Sequence, residues 1–169
     1  MENFIRGLER SVGDKNWYGA LFIALALPDI CGKIEYPDKS SSQRYKDWFA
    51  RYLEPHYSRR VGSGETVMLH KFLSGSDCYA LRCALLHQGT DEIGEQDARE
   101  ALDSFHFTEP PRSGCIHMNQ SGKVLQIQVD KFASEMIQAI RSWLSDISCD
   151  TEKQRRLSML MRIHQPFRF

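Results

Sequence analysis

The chain has 169 residues, of which 41% are hydrophobic and 26% are charged, and its formal net charge at pH 7 is zero. A chain of this length and composition can bury a core without disulfides or structural metals, so one main domain is expected. Zero net charge excludes a protein-wide field that would attract nucleic acid or membranes. Any polyanion must therefore bind to a local basic patch.

The cysteines and the lengths of the apolar segments indicate in which cellular compartment the protein is expected. The five cysteines are odd in number and include no CxxC pair, which favours reduced thiols over a disulfide framework. The first ten residues lack the apolar core of a signal peptide. The longest apolar run, residues 17–27, is about half of the roughly twenty residues that a membrane-spanning helix needs. We therefore predict a cytoplasmic protein that makes no membrane contact.

The first half of the chain predicts four helices. Apolar residues at helical spacing predict a short helix from Phe4 to Val12. Residues 17–35 are apolar on nearly every side as far as Leu27, which predicts a buried central helix with a kink at Pro28. A stripe from Tyr45 to Leu53 predicts a third helix. Residues 56–64 then read as a basic loop, and residues 66–73 as a short helix.

The second half predicts three more helices, a strand-like segment and a hairpin. Ser74 begins a capped helix that Gly89 ends, and residues 91–103 read as an exposed acidic turn and helix. Residues 105–107 alternate like a strand, and alternating residues around Gly122 predict a hairpin. A long helix follows Asp130. The predicted fold is mainly α, an antiparallel helical bundle with a small β-hairpin near residues 115–129; the bundle spans 1–149, and a basic amphipathic tail spans 150–169.

Arg82 is the most informative residue, because it lies in the middle of an otherwise apolar helix. A guanidinium is almost never buried without a partner, since desolvating it alone costs several kcal/mol. Asp29, just after Pro28, is the first candidate partner and Glu35 the second. An Arg82–Asp29 clamp between two helices would explain the position structurally. The alternative is that Arg82 faces a cleft and binds an anionic ligand.

His87 follows Arg82 by five residues and lies in the last turn of the same helix, where the helix dipole favours a protonated imidazole. A surface histidine that caps its own helix is the structural alternative. At about 100° per residue, the two side chains are separated by roughly 140° around the helix. The long arginine side chain, a loosened helix end or a second subunit must bring them together.

The segment from Tyr79 to Gly89 resembles the R-x4-6-H motif of HEPN domains (higher eukaryotes and prokaryotes nucleotide-binding). The resemblance implies a helical bundle that acts as a homodimer and cleaves RNA without a metal or other cofactor. In that chemistry His87 acts as general base or acid, and Arg82 stabilises charge on the phosphate. Asp29 and Asp77 are possible supports. Cys83 stands where many family members carry Asn or Asp.

The remaining basic residues suggest further contacts. Arg59, Arg60, Arg155 and Arg156 are candidate RNA-phosphate contacts, although solvated surface charges are the more common explanation. No cysteine and histidine spacing matches a zinc site, so no metal is predicted. The main expectation is a ribonuclease of toxin, phage-defence or RNA-processing type. The alternatives are a non-catalytic dimerisation or nucleotide-binding module, and a protein that binds a partner through its tail.

Overall fold

The computed structural model describes residues 1–64, 67–93 and 99–164, and every structural statement below concerns those residues. Helices account for 56% and strands for 14% of the chain, in six α-helices and two small sheets. The expectation of a mainly helical bundle is therefore wrong, and the fold is mixed α/β. The elements are α1 (Glu2–Gly13), α2 (Trp17–Glu35), α3 (Ser41–Tyr52), β1 (Ser58–Val61), β2 (Met68–Lys71), α4 (Gly75–Gln88), β3 (Ser104–Thr108), β4 (Asn119–Ser121), β5 (Val124–Gln128), α5 (Val129–Asp146) and α6 (Thr151–Ser158).

Helix α2 lies at the centre of the helical layer and contacts each of the other five helices. Asn16 caps it by accepting a hydrogen bond from the backbone N–H of Gly19. Its apolar side chains pack into a core whose largest members include Trp48 and Trp143, with ring centroids 6.3 Å apart in an edge-to-face arrangement. By length and composition alone α2 could cross a membrane. The core helix of a soluble protein satisfies the same criterion.

Two glycines allow helix α3 to approach its neighbours closely. A Cβ at Gly32 of α2 would lie 2.7 Å from the carbonyl oxygen of Arg44, and one at Gly75 would lie 2.9 Å from that of Lys46. Both separations are shorter than a van der Waals contact, so a side chain at either position would push the helices apart. The contact at Gly32 holds α3 against the second half of α2, next to Asp29.

Strands β1 and β2 form an antiparallel hairpin in which Arg59 pairs with His70. The sequence predicted a loop and a short helix for this part of the chain, and both predictions are wrong. The strands have four residues each, and three of the four in each are exposed. A strand with so few buried side chains has no regular alternation of apolar and polar residues, which is the signal that sequence reasoning uses.

The second sheet has the order β3–β5–β4, with β3 parallel to β5 and β4 antiparallel to it. The predicted hairpin around Gly122 is confirmed by β4 and β5, and the strand-like segment 105–107 by β3. The parallel pairing of β3 with β5 was not predicted, because it joins segments separated by residues 109–123, which include β4. The predicted helix within residues 91–103 falls partly outside the described residues.

The predicted tail begins with α6, which packs against α2 and does not extend freely. Lys153 of α6 places its Nζ 2.8 Å from Oε1 of Glu35, a side chain that is only 4% exposed. Arg156 donates a hydrogen bond to the carbonyl oxygen of Ile34. Leu157 and Leu160 pack against the core. The segment 150–160 thus contributes to the same folded unit as the helices before it.

Candidate functional site

Helix α4 carries the two predicted catalytic residues, and both of its ends are fixed as the sequence predicted. Ser74 accepts a hydrogen bond from the backbone N–H of Asp77, which caps the first turn. Gly89 ends the helix in the left-handed conformation, with φ of 71°. These caps set the helix register, so Arg82 lies in the middle of α4 and His87 in its last turn.

Arg82 forms an ion pair with Asp29 of α2, as the sequence favoured. The distance from Arg82 Nη2 to Asp29 Oδ2 is 2.9 Å, without the alignment of a hydrogen bond, and both side chains are largely buried. Ser41 donates a hydrogen bond of 2.9 Å to Asp29 Oδ1. Glu35, the second candidate partner, is engaged elsewhere, because it accepts from Trp143 Nε1 at 3.0 Å. The pair therefore links α2 to α4, and Ser41 adds α3.

His87 contacts the same guanidinium from the exposed side. Arg82 Nη1 lies 3.1 Å from His87 Nε2. Because a guanidinium has only donors, Nε2 must accept, so the contact requires a neutral imidazole with its proton on Nδ1. The separation of roughly 140° around the helix is spanned by the long arginine side chain within one chain. A second subunit is not needed to bring the two residues together.

The surroundings of Arg82 keep it charged. Burial by itself lowers the pKa of Arg82, but the Asp29 carboxylate and the neighbouring Cys83 thiol outweigh burial and raise it above its ordinary value. Cys83 is therefore a polar neighbour of the guanidinium at the position where many HEPN domains have Asn or Asp. Arg82 is therefore a cation at neutral pH.

Arg82 also lines an open pocket of about 530 Å³ between α2, α3 and α6. Asp29 is the one carboxylate among the residues that line it, whereas four side chains are cationic. Apart from Ser41, apolar side chains form the rest of the wall, and His87 lies outside the lining. The cationic residues are Lys33, Arg44, Arg82 and Arg156, and the aliphatic ones include Ile30, Ile34, Met159 and Leu160.

Asp77, the other predicted support, does not take part in this site. Its Oδ1 accepts hydrogen bonds from the backbone N–H groups of residues 100, 101 and 102, at 2.8–3.2 Å. Its Oδ2 accepts from Ser74 Oγ at 2.9 Å. The carboxylate is buried and its oxygens are used by these donors. Asp77 thus fixes the segment 100–102 against the start of α4.

The predicted RNA contacts lie in three different surroundings. Arg59 and Arg60 are exposed on β1, outside the lining of the pocket. Arg155 is also exposed and pairs with Glu152 at 2.8 Å. Only Arg156 reaches the pocket that Arg82 lines. The structure therefore brings together Arg82, His87, Asp29 and Arg156 from the predicted set.

Three residues of the site were missed in the sequence. Lys33, Ser41 and Arg44 reach the pocket because α2 and α3 touch at Gly32. The local sequence around them has the ordinary pattern of a polar helix face, so no local signal could have selected them. Their part in the site depends on the packing of two helices.

The described residues contain no group of three or more His, Cys, Asp or Glu side chains that could hold a metal ion. Comparison of the chain with protein-family models, with curated proteins and with solved structures gives no match in any of the three.

Proposed function

We propose that this chain is an endoribonuclease that cleaves RNA without a metal, with Arg82 and His87 as its catalytic residues. The single observation that supports the proposal most is the 3.1 Å contact between Arg82 Nη1 and His87 Nε2. It places a guanidinium, which can bind a phosphate, next to a neutral imidazole, which can take a proton. The resemblance to the HEPN motif points to the same two residues.

The proposed reaction is an attack of the ribose 2′-oxygen on the adjacent phosphorus. His87 Nε2 accepts the proton of the 2′-hydroxyl while the bond from the 2′-oxygen to phosphorus forms. The bond from phosphorus to the 5′-oxygen breaks, and that oxygen takes a proton from water or from the imidazolium. The products are a 2′,3′-cyclic phosphate and a free 5′-hydroxyl.

Arg82 stabilises the negative charge that develops on the non-bridging phosphate oxygens. Its planar fork offers several donors, and the ion pair with Asp29 engages only one end of it. Asp29 and Ser41 act as positioning residues, because they hold the guanidinium and do not reach His87 directly. The phosphate would take the place beside Nη1 that the imidazole now occupies, and this shift would free His87 Nε2 for the 2′-hydroxyl.

The homodimer implied by the HEPN resemblance is part of this proposal. Two α4 helices in one cleft would give the leaving 5′-oxygen a second imidazole as its proton donor. The Arg82–His87 contact within one chain makes the dimer unnecessary for assembling one pair. Light scattering of the purified protein at micromolar concentration measures the oligomeric state directly.

The experiment is cleavage of a fluorescent RNA in the presence of EDTA. We expect His87→Ala and Arg82→Ala each to lower the rate by about 100-fold or more. His56→Ala removes a histidine from outside the site and should leave the rate unchanged. Cleavage that is absent in the wild type, or that survives either catalytic substitution, would contradict the proposal.

A second candidate function is a non-catalytic module in which Arg82 is a structural clamp. The 2.9 Å ion pair with Asp29 favours it, because that pair joins two buried helices whether or not RNA binds. In this case Arg82→Ala lowers the free energy of unfolding by about 1–3 kcal/mol, His87→Ala has little effect on it, and the RNA stays intact. Measuring stability and cleavage on the same two variants separates the two functions.

A further inference from the structure

The pocket between α2, α3 and α6 has more positive charge than its own residues can neutralise. Asp29 is already engaged by Arg82 at 2.9 Å and by Ser41 at 2.9 Å. The nearest nitrogen of Arg44 is 3.9 Å from the same carboxylate, at the limit of an ion pair. Lys33 donates to the carbonyl oxygen of Pro37, a neutral acceptor. A cationic cavity of this kind fits an anionic ligand.

Unused donors belong to the same side chains. Within the described part of the chain, the buried Nε atoms of Arg44, Arg82 and Arg156 have no hydrogen-bond acceptor, and that of Arg156 lies 3.5 Å from the carboxylate of Glu152 as an ion pair. Each buried donor without an acceptor costs about 1–3 kcal/mol, and native proteins satisfy nearly all such groups. These three arginines come from α3, α4 and α6 and all line one pocket. Their convergence indicates a site that an oxyanion completes.

The apolar part of the pocket wall indicates which kind of anionic ligand the pocket fits. It is formed by aliphatic side chains from α2 and from the end of α6, and none of the described lining residues is aromatic. Proteins that recognise unpaired nucleobases commonly stack them on aromatic rings, so this wall does not favour a base. Methionine and leucine suit a flexible alkyl group. The volume of about 530 Å³ lies within the range of about 300–1,000 Å³ for small-molecule sites.

We propose that this pocket binds a small amphiphilic anion, a phosphate or carboxylate head carried on an aliphatic body. The head lies among Lys33, Arg44, Arg82 and Arg156, and the body lies along Ile30, Ile34 and Met159. This site does not depend on the proposed nuclease function, because His87 is outside the lining. It uses Arg82 from the side that faces α2 and α3, where Asp29 lies.

The test is isothermal titration of the full chain with octyl phosphate below its micellar concentration. We expect saturable binding, at least 10-fold tighter than that of inorganic phosphate or of AMP, since only octyl phosphate offers both a head and an alkyl body. Octanoate, with the same body and a different head, should bind within about 10-fold of octyl phosphate. Absent binding at millimolar octyl phosphate, or AMP binding at least as tightly, overturns the proposal.

Matched variants locate the binding. Arg44→Gln should weaken it by at least 10-fold and Lys33→Gln by several-fold. Arg59→Gln removes the same charge from β1 and should have no effect. Lys33→Gln preserves the test if Arg44→Gln fails to fold, because among the described residues the Lys33 ammonium donates only to the nearby carbonyl oxygen of Pro37. Equal weakening by Arg59→Gln and Lys33→Gln would show non-specific attraction and overturn the proposal.

Two further measurements distinguish this proposal from the nuclease function and from membrane binding. His87→Ala should abolish RNA cleavage and leave the affinity for octyl phosphate unchanged, so the two proposals fail independently. A membrane lipid also carries a phosphate head and an aliphatic body, and binding to one is tested by sedimentation with phosphatidylglycerol vesicles. Binding to vesicles without binding to soluble octyl phosphate would contradict a pocket for a small ligand.

Discussion

At the scale of single residues, the sequence selected two buried charges and assigned them similar roles, but the structure separates them. Asp29 faces Arg82 and Ser41 at the edge of an open pocket. Asp77 is enclosed and accepts backbone hydrogen bonds from a distant segment. Both are acidic residues close to a predicted functional helix, so the sequence could not distinguish a positioning residue from an anchor. The distinction depends on which donors face each carboxylate.

Asp77→Ala tests this anchoring role. The substitution leaves three backbone N–H groups without their acceptor, so we expect a loss of about 3 kcal/mol in the free energy of unfolding. Asp77→Asn, which retains one oxygen acceptor, should lose less. Urea denaturation measures both. Asp91→Ala removes an exposed carboxylate and should change stability by less than about 0.5 kcal/mol. An equal loss of stability in the two alanine variants would contradict the anchoring role of Asp77.

At the scale of elements, the long helices and the hairpin around Gly122 were predicted, whereas β1, β2 and the parallel pairing of β3 with β5 were not. The bounds of α2 agree with the predicted segment 17–35, because its apolar run is a local signal. The β1–β2 hairpin was missed because most of its side chains are exposed. The approach of α2 to α3 could not be predicted either, since Gly32 is only one of several glycines in the chain.

Gly32→Ala tests the contact between α2 and α3. The added methyl would meet the carbonyl oxygen of Arg44, and moving the helices apart should cost about 1–3 kcal/mol of stability. Gly13→Ala is the matched control, because it adds the same methyl at the end of α1 with no atom within 4 Å. Thermal unfolding should show a lower midpoint for Gly32→Ala alone. Similar midpoints for the two variants would contradict the close approach.

At the scale of the whole molecule, residues 150–160 pack against the helices that precede them in the chain. The sequence set residues 150–169 apart as a basic amphipathic tail, either a final helix or an arm. In the structure Lys153 pairs with the buried Glu35, and Arg156 joins the pocket. A carboxylate buried in the helical layer thus obtains its nearer cation, Lys153 at 2.8 Å, from the part of the chain that the sequence set apart, while Arg51 of α3 lies 3.7 Å from the same oxygen.

The pH dependence of the Lys153–Glu35 pair tests whether α6 is part of the fold. The hydrogen bond to Glu35 raises the pKa of Lys153 above its ordinary value of 10.5. A raised pKa gives stability that is complete below pH 10.5 and is lost as the pH rises through the folded-state value. The melting temperature of the wild type should therefore exceed that of Lys153→Met at pH 8, and the difference should narrow above pH 10.5.

Comparing the wild type with Lys153→Met isolates the contribution of Lys153 from that of other groups that titrate at alkaline pH. Tyrosines and the remaining lysines titrate in both proteins, so their effects cancel in the difference between the two melting temperatures. A difference that stays constant from pH 8 to pH 11, or that is zero at pH 8, would show that the pair does not hold α6 in place.

The sequence by itself determined the elements that local signals specify: the central helix, the caps of α4, and the need of Arg82 for an anionic partner. These follow from spacing, capping and the cost of burying a charge, which act over a few residues. Tertiary structure decided which carboxylate meets Arg82, that His87 reaches it within one chain, and that Arg44 and Arg156 surround the same pocket. Those contacts join α2, α3, α4 and α6, and only the packing of the helices sets which side chains share a space.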